Sequence, residues 1–254
     1  MRDSITALLA LNDLPSLLIV AGALVFAYII FSLVGFGSAL IASGPLAGIM
    51  PVAQVVPLLA LLDCFSSVAR GWQTRHLIAA HELKRLVPGM LIGQLLGVLF
   101  LSRLPAAMMA ILLGCFISYY GARGLVEWRP SVVPVSAGAV SYGLTGGVLG
   151  GLFGSGGFVY ASYLECRLED RHAFRATQAV LIALSTAWRV SLCIATGLID
   201  RRLLTTALVL LPVVLIGGRL GKRIDLHLSR EQIYRLLNIL LVISGIALII
   251  RFLR

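Results

Sequence analysis

From Leu14 to Leu62 the chain carries no charged residue and no histidine, and from Pro130 to Leu164 it carries none again. Each run exceeds the roughly 20 apolar residues that span a bilayer. A water-soluble chain has no fold that hides such stretches. Soluble proteins average about 25% charged residues, whereas this one has 13%, with 59% hydrophobic residues and a mean hydropathy of +0.98. The chain therefore reads as an all-α integral membrane protein that crosses the bilayer many times, with no soluble domain.

The formal net charge is +10. In a soluble protein that balance would suggest nucleic acid. Here most Lys and Arg lie in short loops between apolar segments, so the excess of basic residues in cytoplasmic loops explains them first. No basic run is interleaved with aromatics, and no nucleic-acid partner is expected. The partners implied are the lipid bilayer and a small anionic substrate, and the chain is compatible with a homo-oligomer. Cys64, Cys115, Cys166 and Cys193 form no C-x-x-C pair; they read as buried inert thiols. His76, His81, His172 and His227 all read as loop residues without metal-ligand spacing, so neither a metal nor a cofactor is expected. The N-terminal stretch around Arg2, Asp3 and Asp13 lacks a signal-peptide cleavage pattern and reads as retained.

Both uncharged runs contain one motif. Phe36-Gly37-Ser38 returns as Phe153-Gly154-Ser155, 117 residues later. A second anchor joins Pro88–Gly97 to Pro212–Gly221, identical at six of ten positions with an offset of 124, and Gln54-Val55-Val56 matches Gln178-Ala179-Val180 at that same offset. The charged loop Glu165–Arg171 supplies the seven extra residues. Separate motifs in the same order mark an internal duplication, with halves 1–125 and 126–254.

Hydropathy places segments at 15–34, 36–50, 52–69, 86–102 and 104–122, then at 133–150, 151–164, 176–198, 203–218 and 232–250. This predicts about ten transmembrane segments in two inverted five-segment repeats, the inversion following from the odd number. Segments two and seven are short and glycine-rich and read as broken helices. With the 70–85 and 219–235 loops inside, 14 Lys and Arg face the cytoplasm and 6 face out. The alternative, eight crossings with segments two and seven re-entrant, splits them 11 to 9. The rule for basic loops favours ten, with both termini outward.

Arg189 lies within the uncharged part of segment eight. An arginine at the centre of a spanning helix costs about 2.5–3.5 kcal/mol on insertion scales, so it faces a cavity or a partner. Its planar fork of donors suits carboxylate, phosphate or sulfonate oxygens. The residue pattern leaves two readings open: an anion site, or an internal ion pair with Asp63. Asp63 is a candidate coupling group or ion-pair partner, and Arg70 a candidate partner better read as an interfacial loop charge. The repeat-related Gln54 and Gln178 are candidate substrate-binding amides. Ser38 and Ser155 follow the breaking glycines Gly37 and Gly154 and put hydroxyls beside free backbone N–H groups, where helix N-termini would favour an anion. Gly93-x-x-x-Gly97 and Gly217-x-x-x-Gly221 read as helix-packing motifs.

Two hydrophobic halves, each with a Phe-Gly-Ser stretch and a later Pro-x-x-Leu-Ile-Gly-x-x-x-Gly segment, resemble the sulfite exporter TauE/SafE family over nearly the whole chain. The resemblance implies a multi-pass protein of the bacterial inner membrane. It also implies a secondary transporter exporting sulfite, a sulfonate such as sulfoacetate, or a related organosulfonate, by alternating access. Family members often carry Ala-Val-Gly-Thr-Ser after the glycine-rich stretch. Here the nearest matches are Arg175-Ala176-Thr177-Gln178 and Pro51-Val52-Ala53-Gln54, and no binding residue is carried over from the family. An anion channel and a membrane scaffold or assembly subunit are the competing readings. An enzyme is not expected, because no nucleophile–base or metal constellation lies at membrane depth. No nucleotide-binding motif is present.

Overall fold

Ten residues of α-helix rise only about 15 Å, half the thickness of a bilayer core, and that limit governs how this chain is built. The computed structural model describes residues 14–34, 37–47, 50–73, 77–126 and 138–223, with scattered helical positions between 235 and 250. The described residues form nine helices: α1 (Leu14–Val34), α2 (Ser38–Ala47), α3 (Val52–Gln73), α4 (Ala80–Arg103), α5 (Ala106–Val126), α6 (Ala139–Phe153), α7 (Gly157–Arg167), α8 (Arg171–Ala195) and α9 (Arg201–Arg223).

This corrects the expectation of ten spanning segments in two five-segment repeats, and equally its eight-crossing alternative. Among the described residues four helices are long and apolar enough to cross a membrane: Ala80–Arg103, Ala107–Val126, His172–Ala195 and Arg201–Gly221. The physical reason is length. α2 has 10 residues and α7 has 11, and α6 stops after 15. The interruptions fall at Gly37, near the start of segment two, and at Gly154–Gly156, within segment seven, so each segment keeps only a short helix. The expected tenth segment and the 123–132 link lie largely outside the described residues, as does the 219–235 loop beyond Arg223.

Several boundaries also move into the polar stretches. α3 runs to Gln73 and α4 starts at Ala80, so most of the expected 70–85 loop is helical. His81 and His172 stand in the first turns of α4 and α8. Of the four thiols only Cys193 is buried; Cys64 is half-buried, and Cys115 and Cys166 are exposed. The charged ends are ordinary helix termini. Glu82 sits in the first turn of α4 and Arg103 in its last, each matching the helix dipole. Asp170 caps α8, accepting from the N–H groups of His172 and Ala173. Those two bonds hold its carboxyl below the usual aspartate range.

Glycine sets which helices lie together. On α4, Gly89, Gly93 and Gly97 face Gly143, Gly147 and Gly151 of α6, and a Cβ on any of the six would overlap the partner backbone. On α9, Gly217 and Gly221 rest on the backbone of Val25 and Ile29 in α1, their added Cβ atoms 2.8 Å from the two carbonyl oxygens. The packing reading of both Gly-x-x-x-Gly motifs is what the structure has. The remaining contacts come in matching sets. α1 packs on α2 as α6 packs on α7; α2 on α3 as α7 on α8; α9 on α3 as α4 on α8. α3 and α8 lie against each other at the centre. They are antiparallel, since the Ala79 N–H, just past α3, donates to Thr177 near the start of α8. Large apolar side chains such as Ile92, Phe100, Leu208, Val209 and Ile216 point outward from α4 and α9, the surface a lipid environment covers.

A buried arginine where two helix breaks meet

Gly37 (φ 96°) parts α1 from α2, and Gly154 (φ 72°) parts α6 from α7. At such angles any other L-residue costs about 1–2 kcal/mol. Gly154 ends α6, its N–H bonding to the Gly150 carbonyl at 2.9 Å. α7 then opens at Gly157 with no side-chain cap, leaving donors at its N-terminus. The two breaks touch. A Cβ on Gly154 would lie 2.8 Å from Cβ of Ala39, in the first turn of α2, and 2.7 Å from Nη1 of Arg189.

Arg189 reaches this junction from α8 and is 2% exposed. Its Nη1 donates to the Gly150 carbonyl at 2.8 Å. Its Nη2 stands 3.7 Å from Oδ2 of Asp63, an ion pair too long for a hydrogen bond. Among the described residues, Nε and Nη2 have no hydrogen-bond partner. Asp63, from the middle of α3, is buried, and its Oδ1 accepts from the Tyr28 and Ser38 hydroxyls, both at 2.7 Å. The ion pair, one of the two readings the sequence left open, therefore exists, and among the described residues Nε and Nη2 are still unbonded.

The other candidates divide. Gly37, Ser38, Gly154 and Arg189 assemble, with Asp63. Ser155 is buried nearby, but its hydroxyl turns back to the Leu149 carbonyl at 3.4 Å. Gln178 is buried, its Nε2 unpartnered among the described residues, yet it lies about 16 Å along α8 from Arg189. Gln54 is half-buried in the first turn of α3, about 13 Å from Asp63. Because α3 and α8 are antiparallel, the two amides end on opposite sides. Arg70 stands in α3, and its side chain lies outside the described residues.

Four residues absent from the sequence reading complete the neighbourhood. Gln94 of α4 is wholly buried and bonds its amide to the Ser185 hydroxyl, one helical turn before Arg189. Tyr160 of α7 is wholly buried with its ring against Gly146. Tyr28 holds Asp63. Gln94 carried a signal, as the one polar side chain in the Pro88–Gly97 motif. Ser185 carried one in its spacing from Arg189. The tyrosines carried none, because an aromatic in an apolar run reads as core. A second charged cluster is satisfied and ties α4 to α7: Glu82 accepts from Tyr163 at 2.7 Å and pairs with Arg167 at 3.4 Å and Arg85 at 3.7 Å. Among the described residues no group of three or more His, Cys, Asp or Glu could hold a metal ion.

Short helices whose ends meet at a buried charge inside a multi-pass helical membrane protein are the architecture of a membrane transporter. The chain belongs to the sulfite exporter TauE/SafE family, whose model matches residues 19–248. It is 28% identical over 194 residues to a probable inner membrane transporter protein TsaS of Comamonas testosteroni, covering 75% of this chain and 81% of the relative. It is also 28% identical over 205 residues to a probable sulfite/organosulfonate exporter TauE of Cupriavidus necator, covering 74% and 76% respectively. No solved structure matches it.

Proposed function

We propose that this chain is a secondary transporter of the bacterial inner membrane that exports a small sulfur-containing anion, hydrogensulfite or an organosulfonate, by alternating access. The observation that carries this reading is Arg189, a buried cation with two donor atoms unbonded among the described residues and a partner held at 3.7 Å. A purely structural pair would close that distance and use those donors. The family membership and the names of the two relatives support the substrate class.

In this reading Arg189 supplies the charge and Ser38 and Ser155 supply hydroxyls. Gly37 and Gly154 break the chain so that the N-termini of α2 and α7 face the anion. Asp63 neutralises Arg189 while the site is empty and gives way when the anion arrives. Gln54 and Gln178 stand on the two approaches, and Arg70 near one mouth.

In this reading the moving units cut across the halves 1–125 and 126–254. Glycine contacts fasten α4 to α6 and α9 to α1, so the rocking bodies are α1, α2, α3 and α9 against α4, α6, α7 and α8. The Arg189–Asp63 pair crosses between these bodies, which makes it the contact that opening must break. Methanesulfonate release from loaded proteoliposomes tests this. Saturable release without ATP is expected, and lost in Arg189→Ala. Non-saturating electrical conductance at high substrate would assign a channel instead.

A further inference from the structure

With Arg189 taken as the anion's charge, two other buried polar atoms beside it still lack a partner. Among the described residues these are the Tyr160 hydroxyl and Oε1 of Gln94, on side chains that are 0% exposed. Buried polar groups left without a bond weaken a fold and are rare in native proteins unless something binds there. The two side chains converge on two glycines. The Gly150 carbonyl holds Arg189, and a Cβ on Gly150 would lie 3.2 Å from Gln94 Nε2 and 3.7 Å from the Cα of Gly156. A Cβ on Gly156 would lie 3.2 Å from the Tyr160 hydroxyl. Ser185 is bonded to Gln94 and stands beside the Tyr160 hydroxyl, with no hydrogen-bond geometry between the two hydroxyls.

We infer that Tyr160 and Gln94, the latter oriented by Ser185, form an uncharged donor pair that, together with Arg189, receives the oxygens of a monoanionic sulfonate group and disfavours dianions. The inference rests on the anion-site reading of Arg189 and extends it to specificity. Turning the Gln94 amide by 180° lets Ser185 donate to Oε1 and frees Nε2 as a donor. Tyr160 and Gln94 then present one donor each, and Arg189 presents Nε and Nη2. That set serves three oxygens better than the two of a carboxylate. All four side chains stand on α4, α7 and α8, so one rigid body carries the substrate. Charge sets the rest. Arg189 and Asp63 already cancel, so a monoanion adds one uncompensated charge and a dianion adds two. In a poorly screened interior the second is far costlier.

The test is calorimetric titration of the purified full-length protein with methanesulfonate and with sulfate, alongside melting curves. Wild type should bind methanesulfonate at least about tenfold more tightly than sulfate. Tyr160→Phe, which keeps the ring on Gly146, should weaken methanesulfonate about tenfold, the scale of one hydrogen bond to a charged group. Without ligand it should melt higher than wild type, since an unpaired hydroxyl is gone. Gln94→Leu should weaken binding in the same direction. Unchanged affinity in Tyr160→Phe, or a lowered melting temperature with affinity intact, would make the hydroxyl structural and overturn the inference. Equal affinity for sulfate would overturn the charge selectivity. If Arg189→Ala loses binding while both neutral variants keep it, the donor set fails and the transport reading stands. If Arg189→Ala binds normally, the anion site itself is wrong.

Discussion

Replacing Gly154 by alanine separates backbone strain from damage to the site, because the fold supplies its own control. Gly154 and Gly197 both have φ 72°, so alanine at either costs about 1–2 kcal/mol in left-handed strain. At Gly197 the new Cβ meets nothing within 4 Å. At Gly154 it would stand 2.7 Å from Arg189 Nη1 and 2.8 Å from Ala39 Cβ. The guanidinium has to retreat, and its 2.8 Å bond to the Gly150 carbonyl is lost. A hydrogen bond to a charged group is worth about 1.5–3 kcal/mol. Gly154→Ala therefore costs roughly 2.5–5 kcal/mol against about 1–2 for Gly197→Ala. At about 1.4 kcal/mol per decade, the difference is roughly tenfold to a hundredfold in transport. The assay is methanesulfonate release from proteoliposomes, normalised to folded protein, with melting curves for both variants. Equal release by the two alanine variants would show that transport does not depend on the junction, since the contacts with Arg189 and Ala39 are what distinguish Gly154 from Gly197.

Asp63→Asn leaves Arg189 without its counter-charge; breaking such a buried pair costs about 3–5 kcal/mol, so melting in detergent should fall sharply, while methanesulfonate, freed from a competing carboxylate, should bind more tightly. Gly93→Leu should abolish folding, because its side chain enters the α6 backbone, whereas Gly218→Ala, with nothing within 4 Å, should be silent in yield and melting. Asp170 titrates lower when folded. Its cap therefore contributes fully above the usual aspartate pKa and fades as pH falls through the lowered value. The melting difference between wild type and Asp170→Ala should shrink with acidification over that window, and Asp170→Asn should melt without that dependence.

The membrane class and the helix-packing glycines were legible in the sequence, because charge-free length and small-residue spacing report directly on lipid burial and close approach. The Phe-Gly-Ser pair was legible too, and Gly154 does meet Ala39. The count of spanning helices was not. Hydropathy sees how long an apolar run is, but the φ angles at Gly37 and Gly154 decide where a helix ends, so runs that look like spans become α2 and α7. Hydropathy also misses helix that continues past the apolar core, which is why Glu82, Lys84 and Arg85 seemed to be loop. Gln54 and Gln178 show a different limit. Equivalence between halves was read as proximity, yet antiparallel packing of α3 and α8 sends equivalent residues apart. The buried ion pair joins non-equivalent positions instead, Asp63 of α3 and Arg189 of α8.

Anomalous diffraction from crystals of the protein grown with bromomethanesulfonate locates the anion, since the bromine marks it without reference to activity. A bromine peak beside Arg189, between α2 and the α6–α7 break, with the sulfonate oxygens on Nε and Nη2, is the predicted result. A well-occupied peak elsewhere, with Arg189 still paired to Asp63 and bonded to Gly150, would contradict it.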